Sequence, residues 1–247
     1  MRRTRLLLAD FPNDPELTHS QLHYLKHVLR LQDNNELEVF DGKGNAYIAQ
    51  LQFIDKKTAQ LRLITQLPQQ ATPSLSIHLG LGISKAQHMD IALQKSAELG
   101  VDTITPIISA RCEGKHFHHK LTHWQEILIN ACQQSGHNYL PKLLAPCALP
   151  TWRDQLNHNI PKLICVPAQP MRLPNCGLQI GGIHNKIAPQ QVIVLTGAEG
   201  GFTEDEITAA LTAGFIATGL GPRILRTETA PLVAISLLQF IAGDLQP

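Results

Sequence analysis

The chain has 247 residues, of which 43% are hydrophobic, enough to bury a sizeable core and to divide into two domains of unequal size. Its formal net charge of +1 carries no global electrostatic signature, so any nucleic-acid contact must come from a local basic face. Five cysteines, Cys112, Cys132, Cys147, Cys165 and Cys176, include no C-x-x-C pair, which argues against a disulfide framework or a zinc site and for reduced thiols.

The first residues, Met1 to Asp10, combine basic side chains with an apolar run too short for a signal peptide. No stretch approaches a membrane span, and a cytoplasmic protein without membrane contact is expected. Period-two segments follow at Leu37 to Phe40, Ala46 to Leu51 and Ala59 to Ile64, with Asp41-Gly42-Lys43-Gly44 as a turn. They predict a small antiparallel β-barrel or sheet. A helix beginning near Thr18 interrupts it, carrying Leu22, Leu25, Val28 and Leu29 on one face. Lys26 and Arg30 on that helix, with Arg2, Arg3 and Arg5, form a candidate phosphate-binding face, or else an ordinary solvated surface.

Leu67 to Ser74 is polar and proline-flanked and reads as a linker. Beyond it the texture changes. Strands are predicted at Ile77 to Ile83, Thr103 to Ile108, Lys162 to Val166, Val192 to Thr196 and Phe215 to Leu220. Helices are predicted at Met89 to Leu99, stopped by Gly100, and at Leu121 to Ser135. Alternating strands and helices imply a mainly parallel α/β sheet with ligands at the carboxyl ends of its strands.

Two loops there carry chemistry. In Thr196-Gly197-Ala198-Glu199-Gly200-Gly201-Phe202, closely spaced glycines let the backbone approach a ligand, and Thr203 with Glu206 forms a capping box for the next helix. A tight structural turn could use the same residues. In Leu220 to Ala230, Arg223 and Arg226 present planar donor forks to phosphate or a base carbonyl. Glu228 and Thr229 stand at the start of the last helix and could serve merely as its cap. That helix, Leu232 to Ala242, is apolar nearly all round, which predicts burial on several sides and a homodimer. No dinucleotide fingerprint, Walker lysine, nucleophile elbow or zincin motif occurs. His116, His118, His119 and His123 lie in a polar segment without ligand-spaced carboxylates, so no metal is expected.

Lys85 to Asp90, Gln94 to Val101, Ala131 to Pro141, Thr196 to Thr203 and Leu220 to Ala230, with His23-Tyr24-Leu25-Lys26-His27-Val28-Leu29-Arg30, resemble successive motifs of the bacterial 16S ribosomal RNA uridine N3-methyltransferases, members of the knotted SPOUT superfamily. The resemblance implies a PUA-like RNA-binding β-barrel over residues 1–70 and a methyltransferase domain over residues 74–247 with a C-terminal trefoil knot. It further implies S-adenosyl-L-methionine as methyl donor, 16S ribosomal RNA of the small subunit as partner, and a homodimer. Cofactor contacts are then expected at Leu195, Thr196, Gly197, Glu199, Gly200, Gly201, Leu220, Gly221, Ile224, Leu225, Thr227 and Thr229. RNA contacts are expected at Lys85, Arg111 and Arg223 besides the N-terminal basic residues. Arg226 is the candidate stabiliser of charge on the base, and Glu199 or Glu228 the proton acceptor. Ala198, His88, Gln133 and His137 depart from residues usual in the family (proline, lysine, glutamate and arginine in that order).

Overall fold

The computed structural model describes residues 3–13, 15–55, 57–112, 117, 120–170 and 191–245. Arg2, Cys176, His116, His118 and His119, all weighed above, lie outside the described residues. The chain forms two compact units, residues 1–72 with 132–140, and residues 73–131 with 141–247. The first boundary falls inside the predicted linker, whereas the return of residues 132–140 to the first unit has no linker-like signal.

In the first unit, β1 (Arg5–Leu7) runs parallel to β2 (Glu36–Phe40), and β2, β3 (Ala46–Phe53) and β4 (Ala59–Gln66) follow antiparallel. Alternation places Leu37, Val39, Ala49, Leu51 and Leu61 in one core with Leu6, Leu22 and Leu25. The turn after β2 is held by Asp41, whose Oδ1 accepts from the amides of Lys43 at 2.7 Å and Asn45 at 3.1 Å. α1 (His19–His23) starts on a Thr18–Gln21 capping box and passes directly into a π-turn over Tyr24–Val28. The wider turn advances the helix by an extra residue, so Leu25 stays fully buried while Val28 is 59% exposed, against the expectation that both share the core face.

Arg5 corrects another expectation. Its side chain is buried, and Nε donates to Glu38 Oε1 at 2.8 Å, Nη1 to the Cys132 carbonyl at 2.7 Å and Nη2 to Asn138 Oδ1, while its guanidinium lies over the Phe40 ring. It is a core residue joining β1 to residues 132–138, with its donors turned inward and none offered to phosphate.

In the second unit every strand pairing of the sheet is parallel, in the order β11-β9-β10-β5-β6-β7, with β8 also on β6. The strands are β5 (Ser76–Gly82), β6 (Thr103–Ile108), β7 (Lys142–Leu143), β8 (Cys147–Ala148), β9 (Lys162–Cys165), β10 (Gln191–Thr196) and β11 (Phe215–Thr218). The helices are α2 (Ala86–Glu98), α3 (Leu121–Ser135), α4 (Leu149–Gln155), α5 (Glu204–Thr212) and α6 (Thr229–Ala242). β10 and β5 are buried along nearly their whole length, as strands covered on both faces must be. α2 buries Met89, Ala92, Leu93, Ser96 and Ala97 at helical spacing. α6 buries Ala234, Ile235, Leu238 and Gln239, and Gln239 Nε2 donates to the carbonyls of Leu99 at 3.0 Å and Gly100 at 3.2 Å, satisfying the end of α2. α4, with Trp152 and Leu149 in the core, is too short to show a period and was not anticipated.

β10 carries the site. Where it ends, the chain turns across β5 so closely that a Cβ on Gly82 would overlap Ala198 N and lie 2.6 Å from Gly197 C. Only glycine permits that approach.

Candidate active site

Three strand ends meet at one cavity of about 630 Å³. β9 contributes Cys165 to Pro167, β10 the loop Gly197 to Phe202, and β11 the loop Leu220 to Glu228, while α2 adds His88 and the segment after β6 adds Arg111. This is the carboxyl-edge position at which parallel α/β sheets bind ligands, and the volume lies within the usual range for small-molecule sites.

The loops are fixed before any ligand arrives. Thr227 Oγ1 donates to the Gly197 carbonyl at 2.9 Å, clamping one loop to the other. Arg111 Nη1 donates to the Gly200 carbonyl at 2.9 Å, so part of its donor fork is committed to shaping the glycine loop. The Thr203–Glu206 capping box is present, and Glu206 Oε1 also accepts from the Ala110 amide at 2.7 Å, tying the start of α5 to the segment after β6. Gly221, at φ +101°, faces open space, leaving its backbone accessible to a ligand.

Two carboxylates flank the cavity in different states. Glu199 Oε1 accepts from the Lys85 amide and from His88 Nδ1, both at 2.9 Å, and so supplies in trans the acidic cap that the first turn of α2 lacks. Burial pushes the Glu199 carboxyl up, but the bonds from His88 and the Lys85 amide outweigh it and hold the group below its ordinary value. Glu228 stands at the entrance to α6 without making a capping bond. Its Oε2 is buried with no hydrogen-bond partner, 4.0 Å from His88 Nδ1. Glu228 thus makes no hydrogen-bonded side-chain cap for α6.

The remaining wall is apolar, with Val166, Phe202, Ile207 and Leu225. Burial pushes the Cys165 thiol up to about 12, so it lines the cavity as a neutral group and not as a nucleophile.

Of the residues expected at a cofactor, Gly197, Glu199, Gly200, Gly201, Leu220, Gly221, Ile224, Leu225 and Thr227 line this cavity. Leu195 and Thr196 do not: both are fully buried, the first in the apolar core of β10 and the second with its hydroxyl unpaired. Thr229 is the first residue of α6, its amide on the Arg226 carbonyl at 2.9 Å, and is not part of the lining. Arg223 and Arg226 are exposed at the cavity with Ile224 between them, 85% exposed. Lys85 is exposed at the start of α2. Arg3 is exposed and 3.5 Å from Glu36, Lys26 lies over the Phe53 ring, and Arg30 is exposed, all within the first unit. Cys165, Val166, Pro167, Phe202 and Ile207 were missed, although the strand-end rule that pointed to the loops after β10 and β11 applies equally to β9. Among the described residues no group of three metal-ligating side chains converges, and His123 instead meets Asp90 at 3.0 Å.

Comparison with known proteins gives this architecture its class. Residues 71–239 match the model of an RNA methyltransferase domain and residues 17–64 that of an RNA methyltransferase PUA domain, so the parallel sheet with its cavity and the small β unit are those of a two-domain RNA methyltransferase. The ribosomal RNA small subunit methyltransferase E of Buchnera aphidicola subsp. Schizaphis graminum is 34% identical over 93% of this chain and 91% of its own. A methyltransferase of Legionella pneumophila, solved in complex with the cofactor SAM, superposes with a TM-score of 0.90 at 34% identity, over 99% of this chain and 100% of that one. The ribosomal RNA small subunit methyltransferase E of Neisseria gonorrhoeae, bound to S-adenosyl methionine, does so with a TM-score of 0.87 at 36% identity, over 99% and 100%. The chain belongs to the ribosomal RNA small subunit methyltransferase E family.

Proposed function

We propose that the protein transfers a methyl group from S-adenosyl-L-methionine to N3 of a uridine in 16S ribosomal RNA of the small subunit, acting as a cytoplasmic homodimer whose C-terminal chain is knotted. The single observation that carries the chemistry is the cavity at three strand ends, in which a buried, unpartnered carboxylate oxygen of Glu228 shares the lining with Arg226.

The residues present fit the donor. Apolar Val166, Ile207 and Leu225 suit a nucleoside, the accessible backbone at Gly221 suits close polar contact, and the Glu199 and Glu228 carboxylates suit a cationic ligand. When bound, S-adenosyl-L-methionine supplies an electrophilic methyl group. Everything else falls to this chain. The clamp between Thr227 and Gly197 holds the two loops in fixed relation, so that the orientation of nucleophile and methyl is set by folding. The N3–H proton of the uracil passes to Glu228 Oε2, the carboxylate oxygen without a competing donor, whereas Glu199 Oε1 is already engaged twice. As N3 loses its proton, negative charge spreads to the uracil oxygens, and the guanidinium of Arg226 offsets it. Arg223 and Lys85, both exposed, are assigned to the RNA backbone, and within the first unit Arg3, Lys26 and Arg30 are assigned to RNA separately.

Mass spectrometry of nucleosides from small-subunit RNA, in cells with and without the gene, tests the reading. Loss of 3-methyluridine on deletion and its return on complementation are expected; an unchanged nucleoside profile would remove the assignment.

A further inference from the structure

We propose that His88 is a positioning residue for methyl transfer, its imidazolium form lying between the Glu199 and Glu228 carboxylates in the cavity wall and offsetting one of their two negative charges. This rests on the proposed function for the reaction it serves, but the geometry stands by itself. His88 Nδ1 lies 2.9 Å from Glu199 Oε1 and 4.0 Å from Glu228 Oε2, and the latter oxygen is buried with no hydrogen-bond partner. One ring nitrogen thus faces two carboxylates from two separate loops, one after β10 and one before α6.

The charged groups that meet the ring are Glu199 from the first loop and Glu228 from the second; on its own element the nearest in sequence are Lys85 and Asp90, the last paired with His123 at 3.0 Å. Arg111 and Arg226 line the same cavity. A neutral imidazole would satisfy Glu199 through its Nδ1–H and leave Glu228 with no opposite charge nearby on this side. An imidazolium supplies that charge to both, since a cation within about 4–6 Å favours an ionised carboxylate. The consequence for a polyanionic substrate is direct: two carboxylates repel phosphate, and a shared imidazolium weakens that repulsion by removing one of the two charges. Glu199, held below its ordinary value partly by His88, fits the same picture.

The test is a pair of variants in the full-length protein, assayed on small subunits lacking the modification, with rates expressed as ratios to wild type so that the titration of the substrate cancels. His88→Lys keeps the charge throughout the profile, so its ratio rises by at least about three-fold from the acid to the alkaline end. His88→Gln keeps a donor for Glu199 without charge, so its ratio is lowest at the acid end and climbs toward one at the alkaline end. Ratios that stay flat with pH in both variants overturn the proposal, as does a His88→Gln enzyme equal to wild type throughout. Calorimetry with S-adenosylhomocysteine and thermal melts establish that each variant is folded. Nitrogen-15 spectra of the labelled His88 ring read its protonation directly: a ring neutral at the acid end of the profile refutes the assignment even without turnover. Failure of wild type to methylate at any pH would refute the proposed reaction, with the spectra still deciding the role of His88.

Discussion

At the scale of single residues, the two carboxylates of the cavity differ in what their oxygens already do, and that difference divides their roles. Glu228 has a buried oxygen with no donor, so Glu228→Gln is expected to slow methyl transfer by about 10²–10⁴-fold while S-adenosylhomocysteine still binds. Glu199→Gln should cost far less turnover under the same assay, and equal losses would show that the division is wrong. Arg226→Ala is expected to slow the reaction by at least about 10²-fold with cofactor affinity little changed, read by calorimetry beside single-turnover kinetics. Arg226 and both glutamates were legible as candidates in two loops that follow strands, Glu199 after β10 and the other two after β11. Which carboxylate is free was not, because the donors to Glu199 come from Lys85 and His88, more than a hundred residues away in sequence.

At the scale of elements, the α2 and α5 helices begin in opposite ways. α5 carries its own Thr203–Glu206 box, and Thr203→Ala should destabilise the protein by about 1 kcal/mol in denaturant titrations. α2 has no side-chain cap and borrows Glu199 from the loop after β10. Because the folded-state value of Glu199 lies below its unfolded value, the stability it contributes is fully present above the ordinary carboxylate range and is lost as pH falls through the folded value. Melting temperature measured against pH should therefore drop more steeply on the acid side in wild type than in Glu199→Gln; parallel curves would exclude this contribution. The α5 cap was readable because a box is local, four residues in a row. The α2 cap was not, since it exists only when β10 lies beside β5. The π-turn of Tyr24–Val28 has the same character: alternation and period located the helix, but the extra residue that turns Val28 outward is decided by packing on the β2–β3–β4 sheet.

For the whole molecule, the expectation of a homodimer rests on α6, whose Phe240 is 56% exposed on an otherwise apolar helix. Sedimentation of the intact protein should give a dimer, and Phe240→Asp should shift it toward monomer; a monomeric wild type would disprove the expectation. Gly82→Ala addresses the sheet itself, because the added methyl meets the backbone at Gly197 and Ala198, and a loss of about 1–3 kcal/mol in stability is expected together with loss of cofactor binding. The amino-acid sequence alone determined the longer strands and helices and the mainly parallel sheet, since these follow from period, turn chemistry and motif spacing within short windows, whereas α4, β7 and β8 are too short to leave such a signal. Tertiary structure decided the rest: that Arg5 is a buried strut to residues 132–138, that β9 supplies the third wall of the cavity, and that Glu228 Oε2, without a hydrogen-bond partner, lies 4.0 Å from His88 Nδ1. The last two outcomes depend on which distant segments the order β11-β9-β10-β5-β6 sets side by side, and the first on the return of residues 132–140 to the small sheet, neither of which is written in any local stretch of chain.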